Sequence, residues 1–276
     1  MSSAETRAAL GDSLAHGPWW LIVLACVLPA VNWMLTSATF WALTGRFGRI
    51  GLVDMAWAIG AAWVFNYLPL RPGMLGRFAY HKIVHDIRVR DSARVVIEAM
   101  LASVVGGAVM LGLAVVLPMR TDIAVCVAVL GGPMVVGAGV SLGWWASGIR
   151  GRFALAITLR YAEMLVWLTR YLIAFSLVGA SIDIRTAAII TVVSQLAITI
   201  PISGNGLGVR EWGVGLTTAA LFAAGAIDTL DAAGATRLGL AADLVLRGME
   251  LIPALLVGSL SSAMIFRRTR RTTRRT

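Results

Sequence analysis

Charged residues are scarce in this chain, and their scarcity excludes most soluble folds. Only 14% of the 276 residues are Asp, Glu, Lys or Arg, against about 25% in soluble domains, and 58% are hydrophobic. Apolar runs of about 20 residues recur along nearly the whole length, and each can cross a hydrocarbon core of about 30 Å. No remaining block is large enough for a separate soluble domain. The composition therefore predicts an all-α, polytopic helical membrane protein with a single integral membrane domain, 1–276.

The side-chain groupings of enzymes and metal sites are also missing. The two cysteines, Cys26 and Cys126, both lie in apolar runs, where we expect them to be small packing residues. His81 and His85 are four residues apart, but the string between them lacks the glutamate of a zinc-protease motif, so we expect a solvated pair at the membrane interface. No serine, histidine and acid grouping resembles a hydrolase elbow. We therefore expect no enzyme, no cofactor and no metal.

The basic residues are distributed unevenly along the chain. Six of them lie in the tail 267–276, directly after an apolar helix, where such runs fix orientation and contact anionic headgroups rather than nucleic acid. Threading the chain back from this tail gives fourteen basic residues on the tail's side of the membrane and four on the other side. Because cytoplasmic loops carry the excess of Lys and Arg, we expect an N-out, C-in protein of the plasma (inner) membrane. The segment 1–17 is then outside, and the tail is cytoplasmic.

Hydropathy predicts six apolar helices and two helical hairpins. Hairpin one has an apolar limb and a polar limb near 74–88, joined by a turn containing Pro69, Pro72 and Gly73. Hairpin two has limbs near 184–200 and 209–225, joined by the stretch 201–211. Proline and glycine in both turns favour helices that are broken or re-entrant. We expect the six apolar helices near 18–44, 51–68, 92–117, 122–146, 152–179 and 237–266. The second of them is also the first limb of hairpin one.

The predicted orientation gives the two halves opposite directions in the membrane. Hairpin one begins and ends on the cytoplasmic side, whereas hairpin two begins and ends outside, and a spanning helix flanks each hairpin on both sides. This plan is the inverted-repeat architecture of many transporters. We therefore expect repeat one over 18–117, a connecting helix over 122–146 and repeat two over 152–266.

The stretch 201–211 places an adjacent Arg210 and Glu211 at the start of a helix inside membrane-grade sequence. A helix N-terminus exposes unpaired N–H groups that attract anions, and an arginine adds a forked donor suited to phosphate. Intramembrane ionisable groups usually face a cavity, so we expect this end to hold a lipid phosphate. The alternative is that Arg210 and Glu211 pair with other buried charges and only lock the fold.

Further polar residues form a cluster in hairpin one and stripes on two helices. In hairpin one, Arg71 either joins the site with Asn66 or extends to the headgroups, and Arg77 is expected to do the latter. Stripes at helical spacing are expected to face the protein interior, since lipid would reject them. Ion pairs between helices are favoured there over a cavity wall. The stripes are Arg160, Glu163 and Arg170 on the fifth apolar helix, and Asp243, Arg247 and Glu250 on the last.

The pattern Thr199-x-Pro201-x-Ser203-Gly-x-Gly-Leu-Gly208-x-Arg210-Glu211 resembles the signature of the lysylphosphatidylglycerol synthase transmembrane (flippase-like) family. The string Asn66-x-x-Pro69-x-Arg71-x-Gly73 resembles an earlier turn of that family, and Arg247 resembles an arginine of its last helix. The resemblance implies an integral membrane protein that moves, or helps to move, a polar-headed lipid between leaflets. Two departures are the run Gly204-Asn205-Gly206, where Pro-Gly-Gly is common, and the lack of an aminoacyl-transferase domain.

The leading expectation is therefore a lipid translocation protein that uses no nucleotide. Its partner is expected to be an anionic phospholipid or an isoprenoid phosphate. Two alternatives share the architecture: an ion-coupled secondary transporter of small solutes, and a non-transporting scaffold for a cell-envelope glycosyltransferase. The predicted substrate-binding residues are Arg210, Arg71 and Arg247 as phosphate ligands, Asn66, Ser203 and Asn205 as neutral hydrogen-bond partners, and Glu211, which orients Arg210 or titrates.

Overall fold

The computed structural model describes residues 19–68, 70–117, 122–144, 148–199, 206–225 and 231–273, and this part of the chain is all-α. The N-terminal segment 1–17 and the turn residues Ser203 and Asn205 lie outside the described residues. The described helices are α1 Trp19–Thr44, α2 Leu52–Phe65, α3 Pro72–His85, α4 Val89–Val116, α5 Ile123–Gly143, α6 Ile149–Leu177, α7 Ile184–Thr199, α8 Val209–Ala223 and α9 Ala232–Thr273.

Four of the described helices, α1, α4, α5 and α9, are long and apolar enough to cross a membrane. Their outward faces carry large hydrophobic side chains that water would not favour, such as Val135 and Leu142 on α5, which are 77% and 78% exposed. Apolar surface of this extent is typical of helices that contact lipid tails. The described residues therefore indicate an integral membrane protein.

Helix α6 differs from the prediction of a simple apolar span. It has 29 residues, but it carries Arg160, Glu163 and Arg170 within its length and is not among the four long apolar helices. The charges are tolerated because α6 occupies the centre of the bundle, in contact with α1, α4, α5, α7 and α9. Glu163 and Arg170 are buried, so the stripe faces the interior, as predicted.

The chain is broken between α2 and α3 at the predicted turn. Helix α2 ends at Phe65, and Leu70 and Arg71 adopt left-handed φ values of 64° and 50° before Pro72 begins α3. Proline at this position costs no helical hydrogen bond. The limbs pack closely at Gly73, where a Cβ atom would lie 2.3 Å from the carbonyl oxygen of Ala62. The sequence prediction ended this apolar limb at residue 68, three residues too late. Residues 66–68 form a turn after the helix, although Tyr67 and Leu68 are apolar enough to extend the hydrophobic run.

A second break separates α7 from α8, and the two helices pack against each other. Helix α8 begins at Val209, the predicted position, after Gly206 and Gly208 with φ values of 76° and 83°. Only glycine adopts such values freely, so these two residues turn the chain into α8.

Helix α9 is longer than predicted at both ends. It has 42 residues and starts at Ala232, where the Asp231 side chain accepts a hydrogen bond from the Gly234 N–H at 2.7 Å and caps the helix. At the other end the helix continues into the arginine-rich segment, and Arg268 forms an ion pair with Asp54 at the start of α2. Arginine is a good helix former, so a basic tail does not end a helix by composition alone.

The two halves of the chain interleave. Helix α1 packs on α6, α4 packs on α6 and α7, and α9 packs on α1, α2 and α3 as well as on α6 and α8. Small residues bring α8 and α9 together: a Cβ atom on Gly239 would lie 2.9 Å from Gly215 Cα. Helix α5 is peripheral and packs mainly on α6. This arrangement leaves a central space between the halves.

Candidate functional site

The central space is a cavity of about 270 Å³. Side chains from α1, α2, α3, α4, α6, α7 and α9 and from the turn after α2 surround it. Its ionisable lining residues are four arginines and two glutamates, so the wall carries an excess of positive charge. These residues are Arg71, Arg77, Arg160, Arg170, Glu163 and Glu250, and neutral polar or aromatic lining residues include Asn32, Trp33, Thr36, Phe40, Trp63, Asn66, Ser103, Trp167 and Gln195.

Arg160 and Glu163 form an ion pair one helical turn apart on α6. Arg160 Nη1 donates to Glu163 Oε2 at 2.5 Å, and Thr36 Oγ1 of α1 donates to Glu163 Oε1 at 3.0 Å. The hydroxyl satisfies the second carboxylate oxygen, which limits the cost of burying the pair. Both charges lie at the cavity wall.

Arg170 and Glu250 form the second ion pair of the wall. Arg170 Nη2 donates to Glu250 Oε2 at 3.2 Å, and the guanidinium lies over the Trp167 ring at 3.9 Å from its centroid. Trp63 Nε1 of α2 donates to the other oxygen, Glu250 Oε1, at 3.3 Å. The Asn32 side-chain oxygen accepts from Arg170 Nη1 at 3.2 Å and from Trp167 Nε1 at 3.0 Å. Residues of α1, α2, α6 and α9 thus meet around the Arg170–Glu250 ion pair.

Arg77 faces the cavity without such a carboxylate. It is only 7% exposed, and its guanidinium lies over the Phe40 ring at 3.9 Å from the centroid. Its Nε atom is buried and has no hydrogen-bond partner within the described part of the chain. The expectation that Arg77 extends to the headgroups was therefore wrong, because α3 turns this face toward α1 and the cavity.

The turn of hairpin one reaches the end of α7. Arg71 Nη2 donates to the carbonyl oxygen of Ile198 at 2.5 Å, close to the end of the first limb of hairpin two. Asn66 also lines the cavity, and its Oδ1 atom is buried with no partner among the residues that the structure describes. The structure thus brings together two of the predicted site residues, Asn66 and Arg71.

Arg210 lies behind the cavity wall and does not line it. It is fully buried; Nε donates to Asp243 Oδ2 at 3.0 Å, and Nη1 lies 3.8 Å from Glu250 Oε2. Asp243 Oδ1 also accepts from the Tyr171 hydroxyl at 2.8 Å. The Arg210 Nη2 atom has no hydrogen-bond partner in the described ranges. Glu250, together with the Trp167 ring whose centroid lies 5.3 Å from the Arg210 guanidinium, therefore connects Arg210 to the cavity.

Glu211 and Arg247 form a further ion pair between α8 and α9. Both are buried, and neither is among the cavity-lining residues. Their pairing agrees with the interpretation of the Asp243, Arg247 and Glu250 stripe as a set of inter-helix ion pairs. Substrate binding by Arg210, Glu211 and Arg247 stays a prediction, as it does for Ser203 and Asn205, which lie outside the described residues.

Sequence reasoning missed several residues of the cavity wall. Asn32, Thr36 and Gln195 are polar side chains in long apolar helices, which was a usable signal because lipid disfavours them. Their helical faces could not be identified without knowing which helices neighbour them. The position of Arg77 had no signal, since it depends on how α3 packs.

The histidines of α3 do not form a solvated pair, and the expectation for His81 was wrong. His81 is 1% exposed, and its Nδ1 lies 3.0 Å from Ser92 Oγ on α4. No group of three or more His, Cys, Asp or Glu side chains suited to a metal occurs within the described part of the chain. In the loop after α3, the hydrogen bond from Lys82 at 2.5 Å lowers the pKa of the exposed Asp86 carboxyl.

Comparison of the chain with family models, with curated proteins and with solved structures found no match.

Proposed function

We propose that the protein moves a polar-headed lipid with a phosphate or other anionic group between the leaflets of a plasma (inner) membrane. The observation that carries this proposal is the cavity lined by four arginines and two glutamates within a bundle whose outward faces are apolar. A headgroup cannot enter hydrocarbon without losing its hydration, which costs several kcal/mol per unpaired polar group. Polar side chains in the cavity replace that hydration. On this proposal the protein is a transporter and not an enzyme.

The charge of the cavity wall favours an anionic headgroup. Each glutamate is already paired with an arginine, through the Arg160–Glu163 and Arg170–Glu250 ion pairs. The remaining positive charge is exposed to low-dielectric surroundings, where an anion is attracted far more strongly than in water.

The size of the cavity favours a headgroup over a whole lipid. Its volume of about 270 Å³ lies just below the range of about 300–1,000 Å³ that is typical of small-molecule sites. The acyl chains would therefore remain in the surrounding bilayer while the headgroup passes through the protein.

The pattern of helix contacts supports inverted repeats as the basis of the movement. Pairing α1–α4 with α6–α9 in order gives a counterpart for every contact within repeat one: α1 with α2, α2 with α3, α3 with α4, and α1 with α4. The contacts of α4 with α6 and α7 correspond to those of α9 with α1 and α2. Among the described contacts of these eight helices with one another, only that of α3 with α9 has no counterpart. Rocking of one repeat against the other would expose the cavity to each side in turn.

The lengths of the hairpin helices support re-entrant limbs. Helices α2, α3, α7 and α8 have 14, 14, 16 and 15 residues. At 1.5 Å per residue each is about 21–24 Å long, shorter than a hydrocarbon core of about 30 Å. Together with the uneven distribution of basic residues, this supports an N-out, C-in protein with one hairpin entering from each side.

The predicted site residues divide into two roles under this proposal. Asn66 and Arg71 contact the headgroup from the turn of hairpin one. Arg210, supported by Asp243, holds Glu250 in the cavity wall, and the Arg247–Glu211 pair fixes α8 on α9.

A second candidate is an ion-coupled secondary transporter of a small anionic solute. The same cavity volume favours it, because a space of headgroup size also accommodates a free small anion. Such a protein would bind a water-soluble substrate and would leave labelled lipids where they are.

Reconstitution into liposomes tests the proposal. Wild-type protein is expected to expose labelled anionic phospholipids or isoprenoid phosphates to an external quencher faster than protein-free liposomes do. Ser103→Phe adds a ring to the cavity wall on α4 and is expected to reduce this rate to the protein-free rate. Val127→Phe, on the exposed face of α5, is the matched control and should keep the wild-type rate.

Two results would count against lipid translocation. If wild-type liposomes move none of the labelled lipids but take up a small anion, the second candidate replaces the first. If they move neither, and activity appears only with a membrane glycosyltransferase present, a scaffold role replaces both.

A further inference from the structure

Arg77 is a buried arginine at the cavity wall for which the described residues supply no carboxylate. Its side chain is only 7% exposed, and within the described residues its guanidinium lies against the aromatic rings of Phe40 and Phe78. A buried charge without a counterion is costly, so proteins rarely keep one without a use. Nε has no hydrogen-bond partner within the described ranges, while the side chain contributes to the cavity lining.

The other arginines of the cavity already have acceptors. Arg160 donates to Glu163, Arg170 donates to Glu250, and Arg71 donates to the Ile198 carbonyl oxygen. Within the described residues, Arg77 therefore brings to its end of the cavity wall a positive charge that no ion pair compensates. An anion entering the cavity gains most where no internal carboxylate competes with it.

Two guanidinium groups converge at this end. Arg77 and Arg160 both lie over the ring of Phe40, at 3.9 Å and 5.6 Å from its centroid. The ring attracts each of the two cations, so that both are held close to one aromatic side chain despite their like charge. Two forked donors on one aromatic ring form a site for an acceptor with several oxygens.

We propose that Arg77 and Arg160, held on Phe40, bind one phosphate-type anion in the cavity. Arg77 supplies a bidentate fork, and Arg160 adds a second donor while it remains paired with Glu163. A tetrahedral phosphate has oxygens on several sides and can meet both guanidinium groups, whereas a planar carboxylate fills one fork. This inference rests on the proposed function, because it concerns the same cavity. It deepens that function by assigning headgroup recognition to residues outside the glycine-rich turn of hairpin two.

Inorganic phosphate is the first probe. The apparent Tm of full-length wild-type protein in detergent is expected to rise on adding phosphate, relative to sodium chloride of equal ionic strength, because a ligand stabilises the form that binds it. In Arg77→Gln the phosphate-induced shift should disappear. Without phosphate, this variant should have an equal or higher Tm than wild type, because it removes an unpaired buried charge.

Two further variants complete the test. Arg77→Lys keeps the charge but not the fork, and its affinity for phosphate should fall about tenfold, the equivalent of one charge-assisted hydrogen bond. It also carries the test if Arg77→Gln does not yield folded protein. Arg90→Gln removes an exposed arginine from the first turn of α4 and should keep the wild-type shift. The proposal is overturned if Arg77→Gln keeps the phosphate-induced Tm shift, whatever its Tm without phosphate.

A second arm distinguishes the two sources of phosphate. Short-chain phosphatidic acid is compared with short-chain diacylglycerol, which lacks the phosphate, and with inorganic phosphate. A shift with phosphatidic acid that requires Arg77, and none with diacylglycerol, assigns the site to a lipid headgroup. An equal shift with inorganic phosphate assigns it to the free anion. No shift with any of the three overturns the proposal.

The liposome assay separates failure of this inference from failure of the proposed function. If labelled lipid moves at the same rate in wild type and Arg77→Gln, the lipid is translocated without this anion site, and the inference is wrong while the function stands. If phosphate binds through Arg77 but no labelled lipid moves, the anion site stands and lipid translocation is wrong.

Discussion

At the residue scale, the core of this protein is organised by buried charges. Asp243 and Arg210 are both fully buried. Because neither contacts solvent, the charge of each is balanced by the other. A buried ion pair adds little net stability, but removal of one partner leaves an uncompensated charge, at a cost of about 3–5 kcal/mol. The sequence predicted this class of interaction from the spacing of Asp243, Arg247 and Glu250, because a charged stripe on an apolar helix must face protein.

Arg210→Ala is therefore expected to lower the yield of folded protein and the apparent Tm. The double variant Arg210→Leu with Asp243→Leu removes both charges and should recover most of the loss. Size-exclusion chromatography with thermal scans of the purified variants measures both effects. If Arg210→Ala is instead as stable as wild type and only translocation is lost, Arg210 contacts the headgroup directly, as its place after the glycine-rich turn first indicated.

At the element scale, hydropathy was sufficient to predict nine helical segments, and most of their ends agree within a few residues. The breaks before Pro72 and Val209 were predictable, because proline and glycine have defined backbone preferences. The early end of α2 and the extension of α9 through Arg268 were not. The extension of α9 brings Arg268 to Asp54, a tertiary contact that has no signal in a single sequence.

Two glycines of α3 provide a matched test of how the limbs of hairpin one pack. A Cβ atom on Gly73 would lie 2.3 Å from the Ala62 carbonyl oxygen, whereas a Cβ atom on Gly76 meets nothing within 4 Å. Gly73→Ala should force α2 and α3 apart and destabilise the protein by about 1–3 kcal/mol. Gly76→Ala should be neutral or stabilising by up to about 1 kcal/mol, because alanine favours the helix.

The apparent Tm of the two alanine variants in one detergent measures this difference. Equal values for Gly73→Ala and Gly76→Ala would contradict the close packing of the two limbs at Gly73.

At the scale of the whole molecule, the sequence predicted an all-α protein with long apolar helices, but not the way its two halves interleave. Alternating apolar runs do not reveal that α1 packs on α6 or that α9 packs on α2. For the same reason the cavity was not predictable: its wall combines Asn32, Arg77 and Glu250, which are far apart in the chain.

Orientation is tested by labelling single cysteines at two exposed positions. In a background with Cys26→Ser and Cys126→Ser, Asp231→Cys is expected to react with a membrane-impermeant maleimide in intact cells. Arg150→Cys should react only after permeabilisation, because the basic residues favour a cytoplasmic position for the start of α6. If both cysteines are labelled in intact cells, the two halves do not have opposite orientations. If only Arg150→Cys is labelled in intact cells, the proposed topology is inverted.

The bonds around Glu250 also limit where the molecule can shear. The ion pairs Arg160–Glu163, Arg170–Glu250, Arg210–Asp243 and Arg247–Glu211 all join residues of α6, α8 and α9. The cavity-side bonds that cross to the first four helices each include a neutral group: the Trp63 indole, the Thr36 hydroxyl, the Asn32 amide or the Ile198 carbonyl. Sliding of the first four helices past the last four therefore separates no opposite charges next to the cavity. Beside the cavity, the halves are thus joined by exchangeable hydrogen bonds that water or a passing ligand can replace, whereas the Arg268–Asp54 ion pair joins α9 to α2 at residues that do not line the cavity.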